Sequence, residues 1–304
     1  MKKFNPLVLA ALVGLISSVL WIQSTAQEKA VAQPRKIVFI AGKPSHGPGE
    51  HEHRAGSMLL ADQMEKSGLG FKTTVVTDGW PKDESVFDGA AAVIIYSDGG
   101  GGHPAMGHLE KLKELTKAGV GIGCIHYAVE IPTGEPGETF LSAIGGFFES
   151  DWSVNPHWDA SFKMTDHPVA NGVKDFTIRD EWYYHMRFRK DMEGVTPILT
   201  DLPGADTLTR KDGPHEGNPA VRKAVLEDKE PQHVMWVFER PETLGGGRGF
   251  GFTGGHFHKN WQNDDFRKVV LNAIAWIAKA DVPAEGVPTK TPTDEEMKAN
   301  LDKK

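Results

Sequence analysis

Four short apolar segments, two of them followed by a helical pattern, are the feature that most constrains the fold of this chain. They lie at 36–41, 72–77, 91–96 and 120–125. Apolar residues with helical spacing follow the first segment, near Met58 and Met64, and the third, over about 105–118. Strands that alternate with helices form parallel sheets through right-handed crossovers. The sequence therefore predicts an α/β fold with a mainly parallel central sheet.

The second half of the chain has a different pattern. Shorter extended runs between 157 and 201 predict a β-rich insert added to the sheet, and two further runs predict a hairpin across Gly245, Gly246 and Gly247. A last helix is expected at 264–278. The expected organisation is a signal peptide at 1–26, a linker at 27–35, one domain at 36–280 and a flexible or surface-bound tail at 281–304.

Residues 1–26 have the pattern of a secretory signal peptide. Lys2 and Lys3 precede an apolar run from Leu7 to Ile22, and small residues up to Ala26 provide a cleavage site. An uncleaved anchor is the alternative, although the run is slightly short of the ~18 residues of a spanning helix. We therefore expect a periplasmic or secreted protein with no stable membrane insertion once the signal is cleaved.

Composition limits the partners and cofactors. The net charge is −7 and no basic block is present, which argues against a nucleic-acid partner. No nicotinamide or P-loop fingerprint is present, which argues against a nucleotide cofactor. The single cysteine, Cys124, excludes an internal disulfide and is expected to be a buried, inert thiol of the fourth strand. A small neutral molecule is the expected partner, and an oligomer is compatible with the sequence.

Polar residues, and histidines above all, follow four of the predicted strands. In open α/β sheets, ligands bind outside the carboxyl ends of the strands, so we expect these residues to meet at one edge. They are His46, His51 and His53 after the first strand, Asp98 and His103 after the third, His126, Tyr127 and Glu130 after the fourth, and His256 and His258 after the strand near 249–253.

Each of these groups also has a purely structural explanation. His51 and His53 precede a helix and could be solvated or cap-forming, and His126 could bind a backbone carbonyl in the core. The glycines at 99–102 could cradle a phosphate, but without a P-loop lysine they indicate close approach of the backbone to a ligand. His256 and His258 would face the same way in an extended segment.

The chemistry of this histidine-rich edge has two readings. Imidazole and carboxylate groups suit a divalent metal, but no recognised zinc spacing such as H-E-x-x-H is present, so the metal and its ligands stay open. The alternative is acid–base catalysis by groups that titrate near neutrality. G-x-S-x-G is absent, which argues against a serine hydrolase of that type.

Three stretches resemble the ThuA-like (trehalose utilisation) proteins, and the match covers nearly all of 36–279. The stretches are Asp166-His167-Pro168-Val169-Ala170-Asn171-Gly172-Val173 with Phe176 and Asp180-Glu181-Trp182-Tyr183, then Gly123-Cys124-Ile125-His126-Tyr127-Ala128, and Gly254-Gly255-His256-Phe257-His258 with Asn263-Asp264-Asp265-Phe266. The resemblance implies a flavodoxin-like sandwich, similar to class I glutamine amidotransferases, and an association with sugar utilisation.

The same resemblance bears on the catalytic residues. In the amidotransferases, a cysteine occupies the sharp turn after a central strand, and a histidine follows a later strand. In this sequence His126 falls at or beside the position of that cysteine, and His256 or His258 falls at the position of the histidine. The resemblance therefore argues against glutamine hydrolysis, unless the register shifts so that Cys124 occupies the turn.

These observations lead to an expected function. It is an exported enzyme of carbohydrate metabolism, a hydrolase, lyase or isomerase of a sugar, glycoside or keto-sugar, with His126 and either His256 or His258 as acid and base. A non-catalytic carbohydrate-binding protein on the same scaffold is the alternative. Aromatic rings stack on sugars and polar groups bind the hydroxyls. The expected substrate-binding residues are His46, Asp98, Tyr127, Glu130, Trp158, Glu181, Tyr183 and Trp261.

Overall fold

The computed structural model of the protein describes Met1 and residues 33–304. Apart from Met1, the predicted signal peptide lies outside the described residues, as does the linker up to residue 32. The strands are β1 Arg35–Ala41, β2 Phe71–Val76, β3 Ala90–Tyr96, β4 Gly121–Ile125, β5 Gly146–Phe147, β6 His157–Phe162, β7 Phe176–Glu181, β8 Arg187–Phe188, β9 Val195–Asp201, β10 Gln232–Glu239 and β11 Arg248–Phe252. The helices are α1 His53–Lys66, α2 Leu109–Lys117, α3 Glu135–Ile144, α4 Pro219–Arg222, α5 Asp264–Ile277 and α6 Asp294–Lys298.

The central sheet has seven strands in the order β2-β1-β3-β4-β11-β10-β9. The first five of these are parallel to one another, and β10 and β9 extend the sheet in antiparallel pairing. The predicted α/β fold, a flavodoxin-like sandwich with a mainly parallel sheet, is confirmed. The carboxyl ends of β1, β3, β4 and β11 lie side by side at one edge of the sheet.

Strand β3 shows why the predicted strands are apolar throughout. Ile94 and Tyr96 point to the face that α1 and α5 cover, while Val93 and Ile95 point to the face of α2 and α3. All four side chains are fully buried. A strand that is covered on both faces cannot alternate apolar with polar residues, so its sequence reads as a continuous apolar run.

The β-rich insert divides into two parts. Strand β9 joins the central sheet, whereas β6 and β7 form their own antiparallel hairpin with His157 opposite Glu181. Phe162 of the hairpin packs edge to face on Trp182 in the main core, with ring centroids 5.0 Å apart. The hairpin therefore has a fixed position, and the end of β7 is carried to the histidine-rich edge of the sheet.

The C-terminal segment from residue 281 packs along the domain. Val287 is fully buried, and Arg267 of α5 donates from Nε to the Thr289 hydroxyl at 2.9 Å. Near the end of the chain, Lys304 lies 3.3 Å from the buried carboxylate of Glu52, which also accepts a hydrogen bond from the Asp302 backbone N–H. Across the part of the chain that the structure describes, no helix is both long and apolar enough to span a bilayer.

Candidate active site

Four side chains from four distant segments meet at the carboxyl edge of the sheet: His51, His126, Glu181 and His256, here called the cluster. The Nε2 atom of His51 lies 3.0 Å from His126 Nε2 and 3.0 Å from His256 Nδ1. The Oε2 atom of Glu181 lies 3.2 Å from His256 Nδ1 and 3.5 Å from His126 Nε2. The three histidines are at most 4% exposed. The cluster is therefore a compact, almost closed group of imidazoles with one carboxylate.

His126 occupies the sharp turn directly after β4. Its φ of 57° lies in the left-handed region, which histidine adopts more readily than bulky or branched residues do. Its Nδ1 donates to the backbone carbonyl of Thr253 at 2.8 Å, beside the end of β11. Strained backbone of this kind persists only where surrounding structure holds it, and it is common at active sites. The turn aims Nε2 of His126 at the cluster.

Cys124 lies inside β4 and is fully buried. Burial raises the pKa of its thiol far above the usual range, so the reactive thiolate is not formed near neutral pH. The expected burial of the thiol is confirmed, and the alternative register with Cys124 in the turn is wrong, because His126 occupies the turn.

His51 lies at the centre of the cluster, although it was expected only at this edge of the sheet and not among the catalytic or substrate-binding residues. Its Nδ1 is 2.8 Å from Oδ1 of Asp98, which follows β3. It is 1% exposed, and Glu52, the N-cap residue of α1, makes no side-chain cap hydrogen bond. The explanation of His51 as a solvated or cap-forming residue is therefore wrong.

Asp180 holds the backbone that carries two cluster residues. Its buried carboxylate accepts hydrogen bonds from the N–H groups of Gly255 and His256, at 2.9 and 3.0 Å, and from that of Glu181 at 2.7 Å. Nδ2 of Asn260 donates to it as well, at 2.9 Å. Burial raises the pKa of Asp180, and these donors lower it part of the way back. Asp180 thus ties the end of β7 to the loop after β11.

The cluster has an uneven distribution of charge. Burial, followed by repulsion from neighbouring imidazoles, lowers the pKa of His51 and of His126 strongly, so both rings are neutral near pH 7. Burial lowers the pKa of His256 too, but the Glu181 carboxylate beside it outweighs burial, so the net shift is upward. Within the cluster, positive charge is therefore favoured on His256, beside the Glu181 carboxylate.

Most of the expected substrate-binding residues surround the cluster. The Tyr183 hydroxyl is 3.2 Å from Glu181 Oε2, and the His46 ring stacks on His51 with centroids 3.5 Å apart. The rings of Tyr127 and His51 make an edge contact at 5.8 Å. Glu130 pairs with His215, with Nε2 and Oε2 2.9 Å apart. These side chains form the polar and aromatic rim of the cluster.

Three expected site residues lie elsewhere. His258 is separated from His256 because a 3₁₀ turn begins there, and its Nε2 contacts the Met297 carbonyl of the tail at 3.0 Å. The expectation that the two histidines face the same way is therefore wrong. Trp158 and Trp261 are 4% and 0% exposed and pack in the core, where Trp158 donates to the Trp182 carbonyl at 3.0 Å. Neither tryptophan can stack on a sugar from solvent.

Two rim histidines were absent from the expected set. His157 lies in the β6–β7 hairpin, with its ring centroid 4.9 Å from that of His256, and is 43% exposed. His215 is 34% exposed and comes from an irregular segment that has no strand or helix pattern. The pairing of His157 with Glu181 in the β6–β7 hairpin is the one signal that could have predicted the position of His157.

Two of the glycines at 99–102, Gly99 and Gly100, serve a protein contact. A Cβ atom on Gly99 would lie 2.2 Å from the Tyr127 carbonyl oxygen, and the N–H of Gly100 donates to the Glu130 carbonyl at 2.8 Å. The close approach that the sequence indicated is therefore made to the segment after β4. The approach of this backbone to a ligand stays a prediction, and the contact fixes Asp98 beside Tyr127.

We expect Gly99→Ala to lower the free energy of unfolding by about 1–3 kcal/mol, because the backbone must move to relieve the clash. The same movement shifts Asp98 and thereby His51. Gly101→Ala is the matched control, since a Cβ atom there meets no atom within 4 Å. Urea unfolding of both variants measures the difference, and equal stabilities would contradict the assigned role of Gly99.

Comparison of the sequence with protein-family models gives a match to the family described as "ThuA: Trehalose utilisation" over residues 38–277. Comparison with curated proteins gives no match. The matched range contains all four cluster residues and all of the rim residues named above.

Two solved structures share this architecture. One is a ThuA-like protein from Bacteroides uniformis, 16% identical, with a TM-score of 0.54 over 81% of this chain and 92% of that one. The other is a ThuA-like protein from Parabacteroides merdae, 17% identical, with a TM-score of 0.51 over 86% of this chain and 94% of that one. At these identities the similarity establishes the fold.

Proposed function

Because this chain belongs to the ThuA (trehalose utilisation) family, we propose that it is an exported enzyme that acts on a sugar, glycoside or keto-sugar at the cluster. The family supports a role in carbohydrate metabolism. The pattern of residues 1–26 supports export to the periplasm or the medium.

The observation that carries the proposal is the convergence of His51, His126, Glu181 and His256 where four parallel strands end. In α/β sheets this edge is where ligands bind. His126 sits in the turn after a central strand with a left-handed φ of 57°, so the fold presents an imidazole there in place of a thiol. A carboxylate that is 13% exposed and lies 3.2 Å from a histidine nitrogen, beside two neutral imidazoles, is a group suited to proton transfer.

The rim supports a neutral, polyhydroxylated substrate. Tyr127 and His157 are partly exposed and offer ring faces, while Asn155 donates from Nδ2 to Glu181 Oε1 at 3.1 Å. The Glu130–His215 pair adds a second polar group, in which His215 is 34% exposed. Mixed aromatic and hydrogen-bonding surfaces of this kind bind sugar rings by stacking and by contacts with hydroxyls.

The groups that touch the cluster are suited to reactions in which a proton is transferred. Hydrolysis, elimination and isomerisation of a sugar each need a proton to be removed from one atom and delivered to another. The Tyr183 hydroxyl is 3.4 Å from His126 Nε2 and 3.2 Å from Glu181 Oε2, so it can pass a proton between the substrate and the cluster. Burial, followed by Glu181 and Glu130, raises the pKa of Tyr183, which therefore stays protonated as a donor.

The test is conversion of sugars by the purified exported protein. Trehalose, other glycosides and their keto-sugar derivatives are incubated with the protein, and products are separated by liquid chromatography and identified by mass spectrometry. We expect conversion of at least one of these compounds, and a rate at least about 100-fold lower for His126→Gln. His108→Gln is the matched control, because His108 is 41% exposed and stacks on Trp80, away from the cluster.

Two outcomes would contradict the proposal. If no compound is converted but titration calorimetry shows sugar binding, the protein is a carbohydrate-binding protein without catalysis. If His126→Gln converts sugar at the wild-type rate, the reaction takes place elsewhere. Cell fractionation tests export, and a full-length protein retained in the cytoplasm would contradict that part.

A further inference from the structure

The hydrogen-bond partners of two cluster histidines determine which of their nitrogens carry protons. His51 Nδ1 faces the Asp98 carboxylate at 2.8 Å, and His126 Nδ1 faces the Thr253 carbonyl at 2.8 Å. Both oxygens only accept hydrogen bonds, so each Nδ1 must carry a proton. In neutral rings the two Nε2 atoms are therefore bare, with their lone pairs directed into the cluster.

These two bare nitrogens are 3.0 Å apart. Two lone pairs at this separation repel, and the contact becomes favourable only when a cation lies between them. The geometry of His51 and His126 therefore favours a positive centre between the two nitrogens.

The other two members complete a set of ligand atoms. His256 directs Nδ1 into the cluster at 3.0 Å from His51 Nε2, while its Nε2 lies 3.7 Å from the Glu50 carboxylate. Glu181 contributes Oε2, and all four ligand atoms lie within 4.8 Å of one another. Ligands about 2.0–2.2 Å from a shared ion stand about 2.9–3.6 Å apart. The cluster contacts of 3.0, 3.0, 3.2 and 3.5 Å fall within that range.

We propose that His51, His126, His256 and Glu181 together bind one divalent transition-metal ion. Three imidazoles and one carboxylate suit zinc and other first-row divalent ions. Asp98 and the Thr253 carbonyl act as outer-shell partners, because each binds the Nδ1–H of a ligand histidine and so fixes its tautomer and orientation. The sequence contains no recognised zinc-binding spacing, because the four ligands come from four separate segments.

The metal centre occupies the site of the proposed enzyme but does not rest on that function, because ion binding is measured without a sugar. With an ion bound, the three imidazoles and Glu181 would serve as its ligands, the ion would supply Lewis-acid chemistry, and the Tyr183 hydroxyl would remain a proton donor beside it. Metal content without sugar conversion would overturn the proposed function alone, and sugar conversion by a protein that binds neither ion would overturn the metal centre alone.

The test is binding of Zn²⁺ and Mn²⁺ to the exported protein. The wild type is stripped with a chelator, titrated with each ion by calorimetry and analysed by plasma mass spectrometry after dialysis. We expect close to one ion per chain, an affinity at least about 100-fold lower for His51→Gln, and one about 10–100-fold lower for Asp98→Asn. His108→Gln should bind as the wild type does. A wild type that retains neither ion would overturn the proposal, as would unchanged binding by His51→Gln.

X-ray absorption of the ion-loaded wild type keeps the test informative if the variants fail to fold. Imidazole ligands give a characteristic outer-shell signal, and we expect three of them with one or more oxygens at about 2.0–2.2 Å. An all-oxygen shell would overturn the proposal, because it would place the bound ion outside the cluster.

Discussion

Asp180→Ala is expected to lower the free energy of unfolding by about 3–5 kcal/mol and to abolish the function of the cluster. The substitution leaves four donors without their acceptor: the N–H groups of Gly255, His256 and Glu181, and the Asn260 amide. Each unpaired buried donor costs about 1–3 kcal/mol. Breaking a buried charged network costs about 3–5 kcal/mol in total, because the surrounding structure relaxes and recovers part of the loss. Denaturant unfolding measures the stability, and the metal content of the purified variant measures whether the cluster still binds an ion.

The matched control is Asp159→Ala. Asp159 lies on the strand that pairs with β7, is 61% exposed and pairs with Arg179 on the surface, where ion pairs contribute about 0–1 kcal/mol. If Asp180→Ala and Asp159→Ala lose the same stability, Asp180 is not the tie between β7 and the loop after β11. Normal ion binding by a stable Asp180→Ala would lead to the same conclusion.

Arg267→Met is expected to cost about 3 kcal/mol. The Arg267 side chain is fully buried and donates to the Trp261 carbonyl at 2.7 Å, to Asp264 at 2.6 Å and to the Thr289 hydroxyl of the tail at 2.9 Å. Methionine fills much of the same volume but donates to none of them, so a buried carbonyl loses its partner. The variant should also release the tail, which protease digestion followed by mass spectrometry detects as cleavage after residue 281.

Arg179→Met serves as the control for that change. Arg179 is 56% exposed, and its ion pair with Asp159 is a surface contact. We expect a change of about 0–1 kcal/mol and no new protease cleavage. Equal effects of the two arginine substitutions would show that the buried contacts of Arg267 contribute nothing beyond those of an exposed arginine.

The fold could be predicted from the sequence because burial on both faces leaves a local signature. Segments such as 91–96 and 120–125 are apolar throughout, and this property depends only on what covers the strand. The hairpin of β10 and β11 across Gly245 to Gly247 was predicted for the same kind of reason, since turns depend on local backbone freedom. The separate pairing of β6 with β7 was not predicted, because it depends on contacts between residues distant in sequence.

The site was predicted in part. His126 and His256 follow central-sheet strands whose ends meet, so topology brings them to one edge. Glu181 and Tyr183 were expected from the family resemblance, since the β6–β7 hairpin that carries them lies outside the central sheet. His51 was left between two explanations, because its role depends on Asp98, 47 positions away. Trp158 and Trp261 were expected to bind sugar from their residue type, yet the direction of a side chain in a hairpin or a turn is set by packing that the sequence does not display.

The cluster joins residues that are far apart along the chain: His51 is 75 positions from His126 and 205 from His256. Contacts of this kind form late in folding, because closing a long loop costs entropy before any contact compensates for it. A collapsed intermediate that contained only β1 to β4 would carry His51 and His126 but neither Glu181 nor His256. Incompletely folded molecules therefore lack the complete cluster. The rate at which ion binding recovers during refolding is expected to report when β11 pairs with β4.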